Sequence, residues 1–157
     1  MDNRIAGLDT EEKCEAFEKN ALRLDRPDLA QECRVRVVEI KREDHDLSDY
    51  AREDTDIPEA AQEDGLRAAC AYESTLINKN GRKKRATATW NMFKKHGIIG
   101  GVERAVQRDK APEHLQNLAS RGLEEHAFEN VVLRHPELFS KDAVKLSEKR
   151  VAKLQAA

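Results

Sequence analysis

The sequence predicts an all-α single domain of about seven or eight short helices. Only one Trp, two Tyr and four Phe occur among 157 residues, whereas charged residues make up 37% of the chain. A β-sandwich or a barrel needs more aromatic and β-branched residues than this composition offers. Apolar residues recur every three or four positions through most of the chain, which is the period of one helix face. The chain is also long enough to bury a core of its own.

An N-terminal helical hairpin is predicted over residues 1–43. The sequence Asp9-Thr-Glu-Glu12 has the spacing of a capping box, so a first helix is expected over 10–24. Pro27 suits the first turn of a second helix over 27–42, and the short connection makes the two helices antiparallel. The pair resembles a single hairpin of the tetratricopeptide type. It lacks that repeat's signature residues and does not recur at a fixed period, so the resemblance implies no function.

An acidic linker is predicted over residues 44–57. From Lys41 to Asp64 the chain holds ten acidic residues against three basic ones, a local charge of −7. Few large apolar residues accompany these charges, so the part before Pro58 is expected to be an exposed, mobile loop. A helical body follows over 58–157. Its first helix is expected to end at a left-handed cap near Asn80-Gly81.

Glycine and proline divide the rest of the body into further helices. They are expected over 86–95, 98–108, 112–121, 123–134 and 140–153, the last one capped by Ser140. His96-Gly97 is the predicted turn between the first two of these. Gly100-Gly101 lies inside the second, where each glycine costs about 1 kcal/mol relative to alanine. Close packing of this pair against a neighbouring backbone is therefore expected.

The feature most indicative of function is a basic segment over residues 79–95. It carries seven bases and no acid, although the whole chain has a formal net charge of −2. Clustered Lys and Arg side chains bind phosphates and release condensed counterions, and a helix N-terminus adds backbone donors. Hydroxyl groups in the first helical turns also donate to phosphate oxygens. The predicted nucleic-acid-binding residues are Lys79, Arg82, Lys83, Lys84, Arg85, Thr87, Thr89, Lys94 and Lys95.

Contact with the phosphate backbone of DNA or RNA is expected rather than base reading. When Gly97 is aligned with the turn glycine of a helix-turn-helix motif, Phe93 falls at a position that requires a small residue. Glu103 falls at a position whose side chain must face the interior. Trp90 is expected to brace its helix against the core rather than to stack on a base. Two other uses of the basic segment remain open. One is pairing with the acidic residues 41–64, which would mask the patch, and the other is binding of an acidic protein partner.

A second pattern would be catalytic. The sequence Pro27-Asp28, followed later by Glu39-Ile-Lys41, resembles the Asp…Glu-x-Lys signature of the PD-(D/E)XK nuclease superfamily. The resemblance implies that the two carboxylates hold Mg²⁺ and that the lysine activates or orients the attacking water. That family needs a bent strand pair, whereas residues 28–39 contain no Gly, Asn or further Pro and have a helical apolar period. A nuclease is therefore the third hypothesis.

Cysteine and histidine spacing predicts no metal or cofactor site. Cys14, Cys33 and Cys70 have no C-x-x-C spacing and fall at apolar helical positions, so buried thiols are expected. A redox pair between Cys14 and Cys33 is the alternative. The five histidines follow no zinc or di-iron pattern. No stretch reaches the roughly 18 to 20 apolar residues of a membrane helix, and the start is too polar for a secretory signal, so a cytoplasmic location is expected.

Taken together, these patterns predict a small, non-enzymatic nucleic-acid-binding protein that contacts phosphates through residues 79–95. The alternative is a helical protein–protein interaction adaptor that uses the same residues or the N-terminal hairpin.

Overall fold

The described part of the chain folds into eight α-helices and three short 3₁₀ turns. The computed structural model describes residues 1–50 and 56–156 and has no strand within those ranges. The predicted all-α fold of seven or eight helices is therefore confirmed. The helices are α1 (Asn3–Ala6), α2 (Glu11–Arg23), α3 (Pro27–Glu43), α4 (Glu59–Ser74), α5 (Thr87–Val106), α6 (Ala111–Ser120), α7 (Phe128–Arg134) and α8 (Lys141–Ala156).

Helices α2 and α3 form the predicted antiparallel pair. Cys14, near the start of α2, packs against Val37 near the end of α3, whereas Ala21 at the end of α2 packs against Ala30 at the start of α3. The cap of α2 differs from the expectation. The hydroxyl of Thr10 accepts the hydrogen bond from the Lys13 backbone N–H at 3.2 Å, because Thr10 is the last extended residue before the helix.

The main hydrophobic core joins α4, α5, α7 and the start of α8. Leu66, Phe93, Val102 and Val132 are fully buried in it, and Phe128 is almost so. The expected single helix over 123–134 is divided, because Ala127 adopts an extended backbone between a 3₁₀ turn at Glu124–His126 and α7. Ser140 caps α8 as predicted.

Helix α5 is broken at Gly97, where the predicted turn lies. Gly97 has φ 77° and ψ 173°, a backbone conformation that is essentially restricted to glycine. The two halves fold onto each other, since a Cβ at Gly101 would lie 2.2 Å from Cδ1 of Phe93. Close packing is therefore found at Gly101, against an aromatic ring rather than a backbone. At Gly100 the nearest atom to an added Cβ is Cβ of His96, one turn earlier on the same helix, so the close approach there is local to α5.

Two expectations around α4 were wrong. Helix α4 ends at Ser74, and Asn80-Gly81 lies instead at the tip of a tight turn that returns the chain toward α4. The acidic linker packs in part onto the body. A 3₁₀ turn at Leu47–Tyr50 buries Tyr50 in the main core, and the ring of His45 stacks on Trp90 at 4.0 Å between centroids. Residues 51–55, which belong to the same linker, lie outside the described part of the chain.

In the ranges that the structure describes, none of the helices combines the length and apolar character that a membrane span requires.

Candidate nucleic-acid interface

The basic segment begins in a tight turn between α4 and α5, which we call the basic turn (residues 76–84). Ile77 and Lys83 face each other in an isolated antiparallel bridge, and Gly81 at the tip has φ 75°. Cross-turn bonds close it, with Asn78 N–H donating to the Arg82 carbonyl at 2.7 Å and Lys84 N–H donating to the Leu76 carbonyl at 3.2 Å. The side chains that follow Gly81 are therefore presented from a hydrogen-bonded backbone rather than from a free loop.

Glu73, a residue of α4, anchors the start of α5, which follows the basic turn. One oxygen of its buried carboxylate accepts from the Ala86 backbone N–H at 2.9 Å and from Nε1 of Trp90 at 2.7 Å. The other oxygen accepts from Nζ of Lys41 at 3.2 Å. Burial by itself raises the pKa of Glu73, but the bonds from Trp90 and Ala86 and the charge of Lys41 outweigh it, so the pKa is lowered. Glu73 is thus ionised at neutral pH and fixes the start of α5.

Between these anchors lies a concave site, which we call the basic pocket. Its volume is about 440 Å³, and it opens where the basic turn meets the first turn of α5. Among the described residues, no Asp or Glu lines it. The lining residues are Tyr72, Leu76, Lys84, Arg85, Ala86, Thr87, Ala88, Thr89, Asn91 and Arg108.

Arg108 is the cation that sequence reasoning missed. Its guanidinium donates to the hydroxyl of Thr89 at 3.0 Å and to the sulfur of Met92 at 3.6 Å, and both acceptors are uncharged. In the described part of the chain no carboxylate pairs with it. No local pattern marks this residue, because only the break at Gly97 brings the end of α5 back to its beginning.

Most of the predicted contact residues are exposed. Thr89 is the exception, contrary to its prediction as a phosphate contact. It is 1% exposed and its hydroxyl already accepts from Arg108, so it lies beneath the surface and cannot meet a phosphate. Trp90 is 5% exposed and braces α5 against the core, as predicted. The exposed members of the predicted set are Lys79, Arg82, Lys83, Lys84, Arg85, Thr87, Lys94 and Lys95.

Comparison with protein-family models, with curated proteins and with solved structures found no match. The site is therefore interpreted from its own geometry.

A polar and basic stripe leads away from the pocket along the first half of α5. Thr87, Asn91, Lys94 and Lys95 recur at helical spacing, so they lie on one side of the helix. At about 1.5 Å of rise per residue, the stripe is about 12 Å long from Thr87 to Lys95. Thr87 and Asn91 line the pocket, so about 6 Å of the stripe lies beyond it, which corresponds to about two phosphates of one strand at about 3.4 Å per phosphate.

Lys83 is held by acidic residues of α2 rather than by the acidic linker. Its ammonium lies 3.0 Å from Oε1 of Glu11 and also contacts the carboxylate of Glu15. Glu63 and Asp64, at the end of the acidic segment, pair elsewhere, Glu63 with Arg42 and Asp64 with Arg134. Masking of the basic segment by the acidic one stays a prediction, since residues 51–55 are not among the described residues.

The nuclease residues do not form a common site. Asp28 and Glu39 are eleven positions apart on α3, about 16 Å along the helix. Glu39 pairs with Arg67 at 2.8 Å, and Lys41 pairs with Glu73 at 3.2 Å. Two carboxylates on one continuous helix at this separation cannot hold one Mg²⁺ ion. Over the ranges that the structure describes, there is no group of three or more His, Cys, Asp or Glu side chains placed to hold a metal ion.

Proposed function

We propose that the protein binds nucleic acid without catalysis, through the phosphate backbone, and that the basic pocket and the stripe on α5 form the interface. The observation that carries the proposal is a pocket lined by Lys84, Arg85 and Arg108, and by no described acidic residue, in a chain whose net charge is −2. Phosphate oxygens neutralise such a cluster and release condensed counterions from the strand, which is the main source of sequence-independent affinity.

The supporting backbone is preorganised. Lys84 is tied to Leu76 and Ala86 is tied to Glu73 by backbone N–H bonds, so the chain between them loses little freedom on binding. The conformational cost of binding is then mainly the ordering of long side chains.

The same geometry favours backbone contact over base reading. Trp90 and Phe93, the aromatic residues on this half of α5, are buried and unavailable for stacking on a base. Glu103, in the second half, accepts hydrogen bonds from Ser140 at the start of α8. Trp90 and Phe93 in the first half of α5 and Glu103 in the second half are therefore engaged within the fold. A cytoplasmic location remains a prediction from sequence.

A protein–protein adaptor function, through the basic segment or through the N-terminal hairpin, is the second candidate. Leu22 and Leu24, at the turn that joins α2 to α3, are 51% and 66% exposed. Exposed leucines at a helical turn are a common component of protein interfaces, although isolated ones also occur on ordinary surfaces.

The test is a comparison of two charge-reversal variants. Lys84→Glu/Arg85→Glu alters the pocket, and Lys145→Glu/Lys149→Glu makes the same charge change on the exposed side of α8. Lys83 is left intact because its pairs with Glu11 and Glu15 belong to the fold. Binding of labelled duplex DNA, single-stranded DNA and RNA is measured by fluorescence anisotropy at about 50 mM salt.

The proposal predicts that the pocket variant loses at least about tenfold in affinity, because each phosphate contact contributes to binding. The α8 variant is expected to retain most of its affinity. Equal affinities of the two variants would overturn the assignment of the site. Absence of binding by wild-type protein to all three ligands would overturn nucleic-acid binding itself, and capture of an acidic protein that depends on Lys84 and Arg85 would then identify the adaptor.

A further inference from the structure

We infer that the basic pocket takes the terminal phosphate monoester of a nucleic-acid strand, whose following phosphates lie along the stripe on α5. This inference rests on the proposed function and specifies which part of the nucleic acid the pocket binds. It is carried by the cavity and by the three cations that line it.

The first argument is charge. Lys84, Arg85 and Arg108 all line the cavity, and in the described part of the chain none of them pairs with a carboxylate. A phosphate monoester carries a charge of about −1.5 to −2 at pH 7 and has three terminal oxygens, whereas a diester within a strand carries a single charge. Three cations around one cavity match the monoester, whereas cations spaced along a helix match successive diesters.

The second argument is the supply of donors. Two N–H groups of Arg108 donate to Thr89 and Met92. The guanidinium carries further N–H donors beyond these two. Thr87 and Asn91 line the same cavity with a hydroxyl and an amide. The first turn of α5 has no side-chain cap, so its N–H groups add to this supply. Together these groups match the several oxygens of a terminal phosphate.

The third argument is shape. The hydrogen bond between Arg108 and Thr89 is partly buried, and Tyr72 near the end of α4 and Leu76 in the basic turn form an apolar wall. A volume of about 440 Å³ lies within the range of small-ligand sites and accommodates a phosphate with its sugar. In this arrangement the strand runs along α5 toward the basic turn, and its terminal phosphate lies in the pocket that Tyr72 and Leu76 also line.

The experiment uses one short single-stranded oligonucleotide in three forms, with a 5′-phosphate, with a 3′-phosphate, or with hydroxyl groups at both ends. Affinities for the full-length protein are measured at about 50 mM salt, where backbone binding is strong. Arg108→Gln removes a pocket cation, and Lys94→Gln removes a cation from the stripe outside the pocket. Lys84→Gln provides a second pocket variant, and Trp90 fluorescence reports that each variant is folded.

The wild-type protein is expected to bind one phosphorylated form about tenfold more tightly than the hydroxyl form, and the form that does so identifies the strand end. Arg108→Gln and Lys84→Gln are expected to remove this preference, whereas Lys94→Gln weakens all three forms and keeps it. Inorganic phosphate should compete with the preferred form at lower concentrations than with the hydroxyl form.

Equal binding of the three forms by wild-type protein would overturn the terminal-phosphate inference and leave the proposed function standing. A preference that survives in both pocket variants would also overturn it, because the phosphate would then bind elsewhere. Absence of binding of every form, and of duplex DNA and RNA, would overturn the proposed function as well.

Discussion

The indole N–H of Trp90 donates to the carboxylate of Glu73 at 2.7 Å, and the same oxygen accepts from the Ala86 backbone N–H. This relationship links α4 to the start of α5 at the edge of the basic pocket. Both side chains are almost fully buried, Trp90 at 5% and Glu73 at 6% exposure. A carboxylate inside the core therefore determines where the basic side chains next to it are displayed.

Replacement of this carboxylate is expected to destabilise the protein. In Glu73→Gln, one acceptor oxygen becomes an NH₂ group that faces donors, so the free energy of unfolding should fall by about 2–3 kcal/mol. Trp90 is the only tryptophan, so its fluorescence reports unfolding in urea. Glu148→Gln, an exposed change on α8, serves as the control and should stay within about 0.5 kcal/mol of wild type. Equal stabilities of the two variants would contradict the anchoring role.

The contribution of Glu73 should also depend on pH. Its folded-state pKa is lowered from the ordinary value of 4.5, so its stabilisation is fully present above that value and is lost as pH falls through the folded pKa. The stability difference between wild type and Glu73→Gln is therefore expected to stay constant from pH 7 to about 5 and to close in more acidic solution. A difference that persists unchanged to about pH 2 would show that ionised Glu73 is not its source.

The break in α5 is expected to depend on glycine. At φ 77° and ψ 173°, alanine at position 97 should cost about 1–3 kcal/mol of stability. Gly100→Ala, at a helical position of the same helix, is the matched control. Its gain in helix propensity of about 1 kcal/mol offsets the tight approach to His96, so a small change is expected. Urea denaturation followed by circular dichroism measures both, and a harmless Gly97→Ala change would contradict the conformation.

The three cysteines are expected to be unreactive in the folded protein. Burial raises the pKa of Cys33 to about 11 and that of Cys70 to about 12, and it also raises the pKa of Cys14. Since the thiolate is the reactive form, a disulfide-exchange reagent at pH 8 should label these residues only as fast as the protein opens. Full labelling should follow addition of denaturant. Rapid labelling of any of the three in native protein would show that its site is accessible.

Local signals predicted much of the fold. The apolar period and Pro27 located α2 and α3, His96-Gly97 located the break in α5, and Ser140 located the start of α8. Each of these signals operates within a few residues of chain. The Asn80-Gly81 pair is compatible with a helix cap and with a tight turn, and the structure has the tight turn that such a pair favours.

The pocket could not be predicted from local sequence patterns, because it is formed by contacts between residues that are far apart in the chain. Exposure of the basic side chains followed from their charge, whereas burial of Thr89 followed from its packing against Arg108, nineteen residues away. Glu73 resembles any other acidic residue of a helix in the sequence, and its role arises from three donors that come from α3, from Ala86 just before α5 and from α5. The sequence therefore identified an exposed basic segment, and only the fold identified the cavity beside it.

The most direct test of the central claim is the salt dependence of wild-type binding to single-stranded and duplex nucleic acid between about 50 and 200 mM salt. Contact with about five phosphates predicts a plot of log affinity against log salt with a slope of about −4 to −5 on duplex DNA, which is a loss of several hundredfold. A slope near zero, or no binding at about 50 mM salt, would contradict phosphate recognition by the basic pocket and its stripe.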